Sequence, residues 1–155
     1  MVEREQIESF MGIALDEARA ALEHDDVPVG AVVIRIDTGE VLARRHNERE
    51  LTNDPTAHAE ILALRDAAAA LGTWRLDGCA LVVTLEPCAM CAGALVNARI
   101  GQVIFGAEDL KAGALGSRYQ LLADPRLNHE CDVVHGVRVE ESARLLRGFF
   151  ASRRA

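Results

Sequence analysis

The sequence predicts a three-layer α/β domain in which helices cover both faces of a five-stranded mixed sheet. Helix-period and strand-like segments alternate in the order αββαβαβ(α)βα. The first two strands are joined by a short turn, which makes them an antiparallel hairpin; from residue 79 onward helices separate the strands, which favours parallel pairing. Half of the 155 residues are hydrophobic and 26% are charged, enough apolar surface for a core and too much for wholesale disorder. No linker, repeat or low-complexity segment interrupts the pattern, so residues 1–155 are expected to form one domain.

Ile7, Phe10, Met11, Ala14, Leu15, Ala18 and Leu22 recur at three- and four-residue spacing, which predicts an amphipathic helix over about 4–24. Residues 29–36, rich in β-branched side chains after Pro28, read as a strand; the turn Asp37-Thr38-Gly39-Glu40 returns the chain as its partner over 41 to about 45. Asp54-Pro55 predicts a second helix, because Asp is a favoured N-cap and Pro is tolerated at the first helical position. Its buried stripe would be Ile61, Leu64, Ala68 and Leu71, ending at Gly72. Residues 79–85 are an apolar run of strand length, and Pro87 marks the next helix, through Asn97. A short strand follows at 102–105, ended by Gly106. The pattern then weakens, with Gly113, Gly116 and Pro125 marking loops around a short helix at 119–122. A last strand is expected at 132–139 and a last helix from 141 to about 154.

The net charge of −7 argues at first against a nucleic-acid partner, which calls for a basic footprint. The distribution is uneven, however. Residues 1–26 carry −6 of that charge, while beyond Glu141 only Arg144, Arg147, Arg153 and Arg154 are charged. With Lys111, the only lysine, this basic end could meet RNA with modest, salt-sensitive affinity. No apolar run approaches the roughly 18 to 20 residues that cross a bilayer, and Met1-Val2-Glu3-Arg4-Glu5 lacks the blocks of a signal peptide. A cytoplasmic protein is expected, in which four cysteines are poor candidates for structural disulfides.

Two motifs carry chemistry. His58-Ala59-Glu60 falls just inside the helix that Pro55 is expected to open, and Pro87-Cys88-Ala89-Met90-Cys91 starts the next. Residues three apart share a helix face, so Cys88 and Cys91 can point at one ion, with His58 as a third ligand. Two thiolates and an imidazole leave tetrahedral Zn2+ one open position, as in catalytic sites, and soft thiolates favour zinc over magnesium or calcium. Helix N-termini also favour thiolate over thiol. Glu60 lies about 200° round an ideal helix from His58, so it suits a proton carrier facing the open position better than a ligand. Each half alone is ambiguous. A C-x-x-C pair also serves redox centres and structural zinc knuckles, and H-x-E is commonly a plain helix surface.

Together the halves match H-x-E…P-C-x-x-C, the signature of the zinc deaminases. The likeness extends through Val27-Pro-Val-Gly-Ala31, Asp54-Pro-Thr-Ala-His-Ala-Glu-Ile61, Thr84-Leu-Glu-Pro-Cys-Ala-Met-Cys-Ala-Gly-Ala94, Phe105-Gly-Ala-Glu-Asp-Leu-Lys-Ala-Gly-Ala114, Leu127-Asn-His129 and Arg147-Gly-Phe-Phe150. Over nearly its whole length the chain resembles the bacterial tRNA-specific adenosine deaminases. That resemblance implies a cytidine deaminase-like fold, one Zn2+ per subunit, a homodimer, and conversion of adenosine to inosine at the wobble position of an arginine tRNA anticodon loop, with no DNA or membrane partner. It implies His58, Cys88 and Cys91 as metal ligands and Glu60 as proton shuttle. It also implies Asn47 and Val29 around the purine, Asp109 and Lys111 near the substrate strand, and Phe149 and Phe150 on a helix that touches RNA. Three features depart from the family pattern: His46 where Trp often precedes the asparagine, a longer hairpin at 36–40, and Ala112 where Thr is frequent.

The remaining conspicuous residues have plainer readings. Cys79 and Cys131 border strands and are expected to pack; His129 and His135 are expected to be structural or exposed. His24 suits the C-terminus of the first helix as a cation, and Trp74 is expected to be a packing anchor. Phe149 and Phe150 cannot both face one core, which leaves one at a surface, where stacking on a base is open to it. The nearest rival function is deamination of a free base or nucleoside. A non-catalytic zinc protein that docks RNA would have little need of Glu60 beside an open metal position.

Overall fold

Strand β1 (Gly30–Arg35) lies near the middle of the sheet, and its uninterrupted run of Ala, Val, Val and Ile is buried on both sides. It pairs antiparallel with β2 (Val41–His46) and, on its other edge, with β3 (Cys79–Leu85). β3 runs parallel to β4 (Gln102–Ala107), and β4 to β5 (Asp132–Val134), giving the order β2-β1-β3-β4-β5. The computed structural model describes residues 1–154, the Arg154 side chain excepted. The basic charge expected there and Ala155 lie outside the described residues.

The period-2 alternation of strand side chains divides the core. Ala31, Val33, Leu81, Val83, Val103 and Phe105 meet α3 (Ala59–Leu71) and α4 (Ala89–Ala98). Val32, Ile34, Ala80, Val82 and Ile104 meet α1 (Arg4–Ala21), and α5 (Val139–Arg154) lies against β4 and α1 on that side. The three layers expected from the sequence are therefore present. Among the described residues no helix is long and apolar enough to cross a membrane.

One glycine sets how closely α1 approaches the sheet. A β-carbon on Gly30 would lie 1.9 Å from the Ala14 carbonyl oxygen and 2.6 Å from the Ala18 nitrogen, both rigid backbone atoms. Gly30→Ala is expected to push α1 off β1 and cost about 3 kcal/mol, near the upper end of ordinary overpacking penalties. A lower denaturation midpoint at unchanged slope is the measurement that checks it.

The structure departs from expectation at several ends. α1 stops at Ala21, and a single 3-10 turn, Leu22–His24, closes on Asp25 in the left-handed region at φ 59°. Pro55 opens no helix. Asp54 Oδ1 instead accepts from the Thr56 backbone N–H and hydroxyl, both at 2.8 Å, forming a side-chain turn that competes successfully with capping. α3 begins at Ala59, and it buries Ala59, Glu60, Leu62, Ala63, Leu64 and Ala67. Small alanines bring the helix close to the sheet, while Ile61, Ala68 and Leu71 remain half-buried on its flanks. A one-turn helix, α2 (Arg49–Thr52), was not expected. The helix expected at 119–122 is absent; a bridge between Leu115 and Gln120 replaces it. β5 ends at Val134, and positive-φ residues Gly136 and Arg138 turn the chain into α5. Trp74 is no packing anchor: it is 60% exposed, with the Arg75 and Arg99 guanidinium groups near its ring.

Candidate active site

The parallel strands β3 and β4 end side by side, and the loops beyond their carboxyl ends supply one wall of a cleft of about 160 Å3. This is where open α/β sheets commonly bind ligands. The cleft is lined by Val29, Asn47, His58, Glu60, Cys88 and Asp109, with Asp26, Arg49, Leu85, Glu86 and Ala112 among their neighbours.

His58 and Cys88 are the N-cap residues of α3 and α4, with extended backbone at ψ 149° and 177°. The sequence placed both inside helices; the structure places both at the mouths. An N-cap side chain turns back toward the first helical turn, which brings Cys88 toward Cys91, the third residue of α4. His58 Nδ1 lies 3.7 Å from Cys88 Sγ and 3.4 Å from Cys91 Sγ, and the three candidate ligand atoms fall within 4.8 Å of one another. Cys91 is fully buried behind the cleft, Cys88 half-buried at its edge.

The proton distribution follows from this crowding. The neighbouring Cys91 thiol and His58 hold Cys88 down to about 3, as a thiolate. Cys88 and burial push Cys91 the other way, and the Cys88 thiolate holds His58 above the usual imidazole range. Burial pushes up the Glu60 carboxyl, which is 4% exposed in the second position of α3. One thiolate, a second thiol and an imidazole nitrogen converging on one point form a donor set that fits a soft divalent metal.

The walls are tied down by backbone groups. Asn47 Oδ1 accepts from the Ala59 N–H at 2.8 Å and its Nδ2 donates to the Val27 carbonyl at 3.1 Å, so one amide joins β2, the Val27 segment and α3. One Nδ2 proton remains for a ligand. Glu86, 2% exposed, was not singled out from the sequence. Its carboxylate accepts from the N–H groups of Asp109, Leu115 and Ser117, each at 3.0 Å, and from the Ser117 hydroxyl. The loop over the cleft closes on it so tightly that a β-carbon on Gly113 would lie 2.3 Å from Glu86 Cδ. Burial alone would raise the Glu86 carboxyl; the Ser117 hydroxyl and the three N–H donors outweigh it and hold the group below its ordinary value.

Glu86→Gln replaces an acceptor of four donors by an amide that must turn an NH2 toward some of them. A loss of about 2–4 kcal/mol is expected. Because the folded-state value is lowered, the stabilisation is present above the unfolded value near 4.3 and disappears as pH falls through the folded one. The stability gap between variant and parent, read from urea midpoints, should therefore close on acidification.

A family model described as MafB19-like deaminase matches residues 5–154. The tRNA-specific adenosine deaminase of Bacillus subtilis (strain 168) is 49% identical over 145 residues, covering 94% of this chain and 89% of the relative. The chain belongs to the tRNA-specific adenosine deaminases. A solved structure from a study of A-to-I editing by tRNA deaminases at the wobble position is 48% identical and superposes with a TM-score of 0.85, covering 89% of this chain and 99% of that one. Guanine deaminase from Nitrosomonas europaea shares the fold at TM-score 0.82 with 27% identity, over 97% of this chain and 86% of its own. The cytidine deaminase-like architecture expected from the motifs is thus the architecture present.

Within this deaminase fold, the residues singled out from the sequence divide into three groups. His58, Cys88, Cys91, Glu60, Asn47, Val29 and Asp109 gather at the cleft. Lys111 is exposed on the loop next to it, where Asp109 Oδ1 accepts its N–H and that of Ala112, both at 3.1 Å. Phe149 and Phe150 stand apart on α5. Phe149 is 8% exposed beneath Arg153, and Phe150, edge-on to it with ring centroids 5.2 Å apart, is exposed at 43%, so one of the two adjacent rings does reach the surface. Asp26, Arg49 and Glu86 line the cleft without having been expected there.

Proposed function

We propose that this chain is a zinc-dependent tRNA adenosine deaminase that converts adenosine to inosine at the wobble position of an anticodon loop, in an arginine tRNA. The observation that carries the reading is the convergence of His58, Cys88 and Cys91 beside a buried carboxyl, Glu60, in a cleft walled by Asn47 and Val29. His58 Nδ1 and the two sulfurs would hold Zn2+. When bound, the metal supplies Lewis acidity that activates water near neutral pH.

The chain's own groups do the rest. Glu60 takes a proton from the attacking water, gives it to N1 of the adenine, and carries the next proton to the departing amine; positioned acid–base groups of this kind contribute about 10²–10⁴-fold. Asn47 presents its free N–H to the base, and Val29 packs on its face. Asp109 shapes the loop bearing Lys111, which meets the substrate strand, while exposed Phe150, with Phe149 beneath it, offers a contact to flanking RNA. An amine inside a paired helix is out of reach of such a cleft, which favours a loop nucleotide. The chain acts as a single domain over residues 1–155, as a cytoplasmic homodimer. An apolar depression lined by Ile61, Leu64, Trp74 and Ala94 supports the dimer by offering a surface for a second copy.

Incubation of the purified protein with tRNA, followed by inosine mapping, tests the reading. Inosine at the wobble position is expected. Ammonia release from free guanine without inosine in tRNA would overturn it in favour of the guanine deaminase chemistry of the more distant structural neighbour.

A further inference from the structure

A chain of polar side chains runs from α1 to the cleft wall without touching the thiols. Arg44 Nε donates to Glu17 Oε2 at 2.8 Å, and Glu17 Oε1 lies 2.9 Å from His46 Nδ1. His46 Nε2 faces His24 Nε2 at 3.1 Å, and His24 Nδ1 lies 2.6 Å from Asp26 Oδ2. Asp26, 2% exposed, then accepts from the N–H groups of Glu50 and Leu51 at 2.9 and 3.2 Å. Those N–H groups belong to α2, whose first residue, Arg49, lines the cleft with Asn47 and Asp26 itself. From α5, Arg153 reaches the Asp25 carbonyl beside the same turn.

Hydrogen-bond capacity sets the proton content of the pair. Burial pushes the Glu17 carboxyl up, but the bonds from His46 and Arg44 outweigh it and hold the group ionised. Asp26 already receives two backbone donors and serves as an acceptor. Both Nδ1 atoms are therefore donors, and the Nε2···Nε2 contact has room for one proton. All three contacts of the two rings are satisfied together only when both Nδ1 atoms donate and one proton lies between the Nε2 atoms. A fourth proton would set two N–H groups against each other at 3.1 Å; loss of the third would oppose two lone pairs.

We propose that His24 and His46 are positioning residues: by sharing one proton between Glu17 and Asp26 they hold Asp26 against α2, and so hold the Asn47–Arg49 wall in place for substrate binding in a pH-dependent way. Neither ring lines the cleft. The assignment rests on the deaminase reading of that cleft. It is particular to a chain with histidine at 46, since tryptophan could not complete the pair.

The test is steady-state inosine formation on an anticodon stem-loop from about pH 5.5 to 8.5, the range in which histidine changes charge. KM of the parent is expected to rise toward acid, where a fourth proton arrives, and toward alkali, where the third is lost. His46→Phe should raise KM about 3- to 10-fold with kcat within about twofold, as for a lost ground-state contact. His46→Gln, whose amide can donate to Glu17 and accept from His24, should restore KM and remove its rise in acid. His46→Phe with the parent's KM, or His46→Gln with the parent's pH profile, overturns the assignment while leaving the deaminase reading intact. A parent that makes no inosine overturns both. Nitrogen-15 spectra of the two rings in the parent give a readout that needs no variant: both Nδ1 atoms protonated is expected, and a bare Nδ1 on either ring overturns the assignment.

Discussion

Glu60→Gln is expected to abolish deamination while leaving the fold and the metal content unchanged. The carboxyl is buried, and burial already disfavours its charge, so a neutral side chain of the same shape keeps the packing of the first turn of α3. What the amide cannot do is take a proton from water and deliver it to the base. Removing a positioned acid–base group costs about 10²–10⁴-fold in rate, and because both proton transfers are proposed to run through Glu60 the upper part of that range is expected. The loss should fall on kcat and kcat/KM alike, since proton transfer belongs to the transition state and not to ground-state binding. Three measurements on one preparation decide it: zinc per chain, thermal midpoint, and inosine formed on tRNA. Inosine formation within a factor of ten of the parent would remove Glu60 from the chemistry. A variant that also lost its zinc would make it part of the metal site instead.

The sheet was legible because burial on both faces leaves a simple record. β1, β3 and β4 carry almost nothing but apolar residues, and the spacing between β3 and β4 leaves room for one helix. The convergence of His58, Cys88 and Cys91 was legible for a different reason. His58, Cys88 and Cys91 are rare residue types at short fixed spacing, and their chemistry survives a wrong assignment of the local backbone. That assignment was wrong at Pro55, since Asp-Pro-Thr suits a side-chain turn as well as a helix start, and hydrogen bonds from Thr56 decided for the turn. The consequence is physical. Held on extended backbone at the helix mouth, His58 is free of the 200° separation that an ideal helix would impose between it and Glu60. Asp26 and Glu86 were not legible at all. Each is a carboxylate whose main partners are backbone N–H groups 23 to 31 residues away, and a backbone donor leaves no trace in residue type. His24 gave a similar lesson: a cation at a helix end was a sufficient account of it until β2 brought His46 to 3.1 Å.

Cys91→Ser should remove the metal, and with it both activity and part of the stability. Cys91 is fully buried, so no water can take the place of its sulfur without opening α4, and a serine hydroxyl is a harder, far more weakly acidic donor at the same point. Zinc per chain is expected to fall below about a tenth of the parent's value and inosine formation by at least about 10³-fold, because metal-assisted attack and its acid–base partner act as a unit. A metal that binds only the folded chain stabilises it by mass action, so the thermal midpoint should fall as well. Chelation of the parent should lower its midpoint in the same direction. The matched control is Cys79→Ser. Cys79 is also buried, at the start of β3, but burial pushes its thiol up and it stands outside the His58–Cys88–Cys91 group. That variant should lose some stability from a hydroxyl placed in the core while keeping one zinc per chain and its activity. Equal zinc loss in both variants would mean that the metal responds to general loosening of the core, and the three-residue ligand set would have to be abandoned.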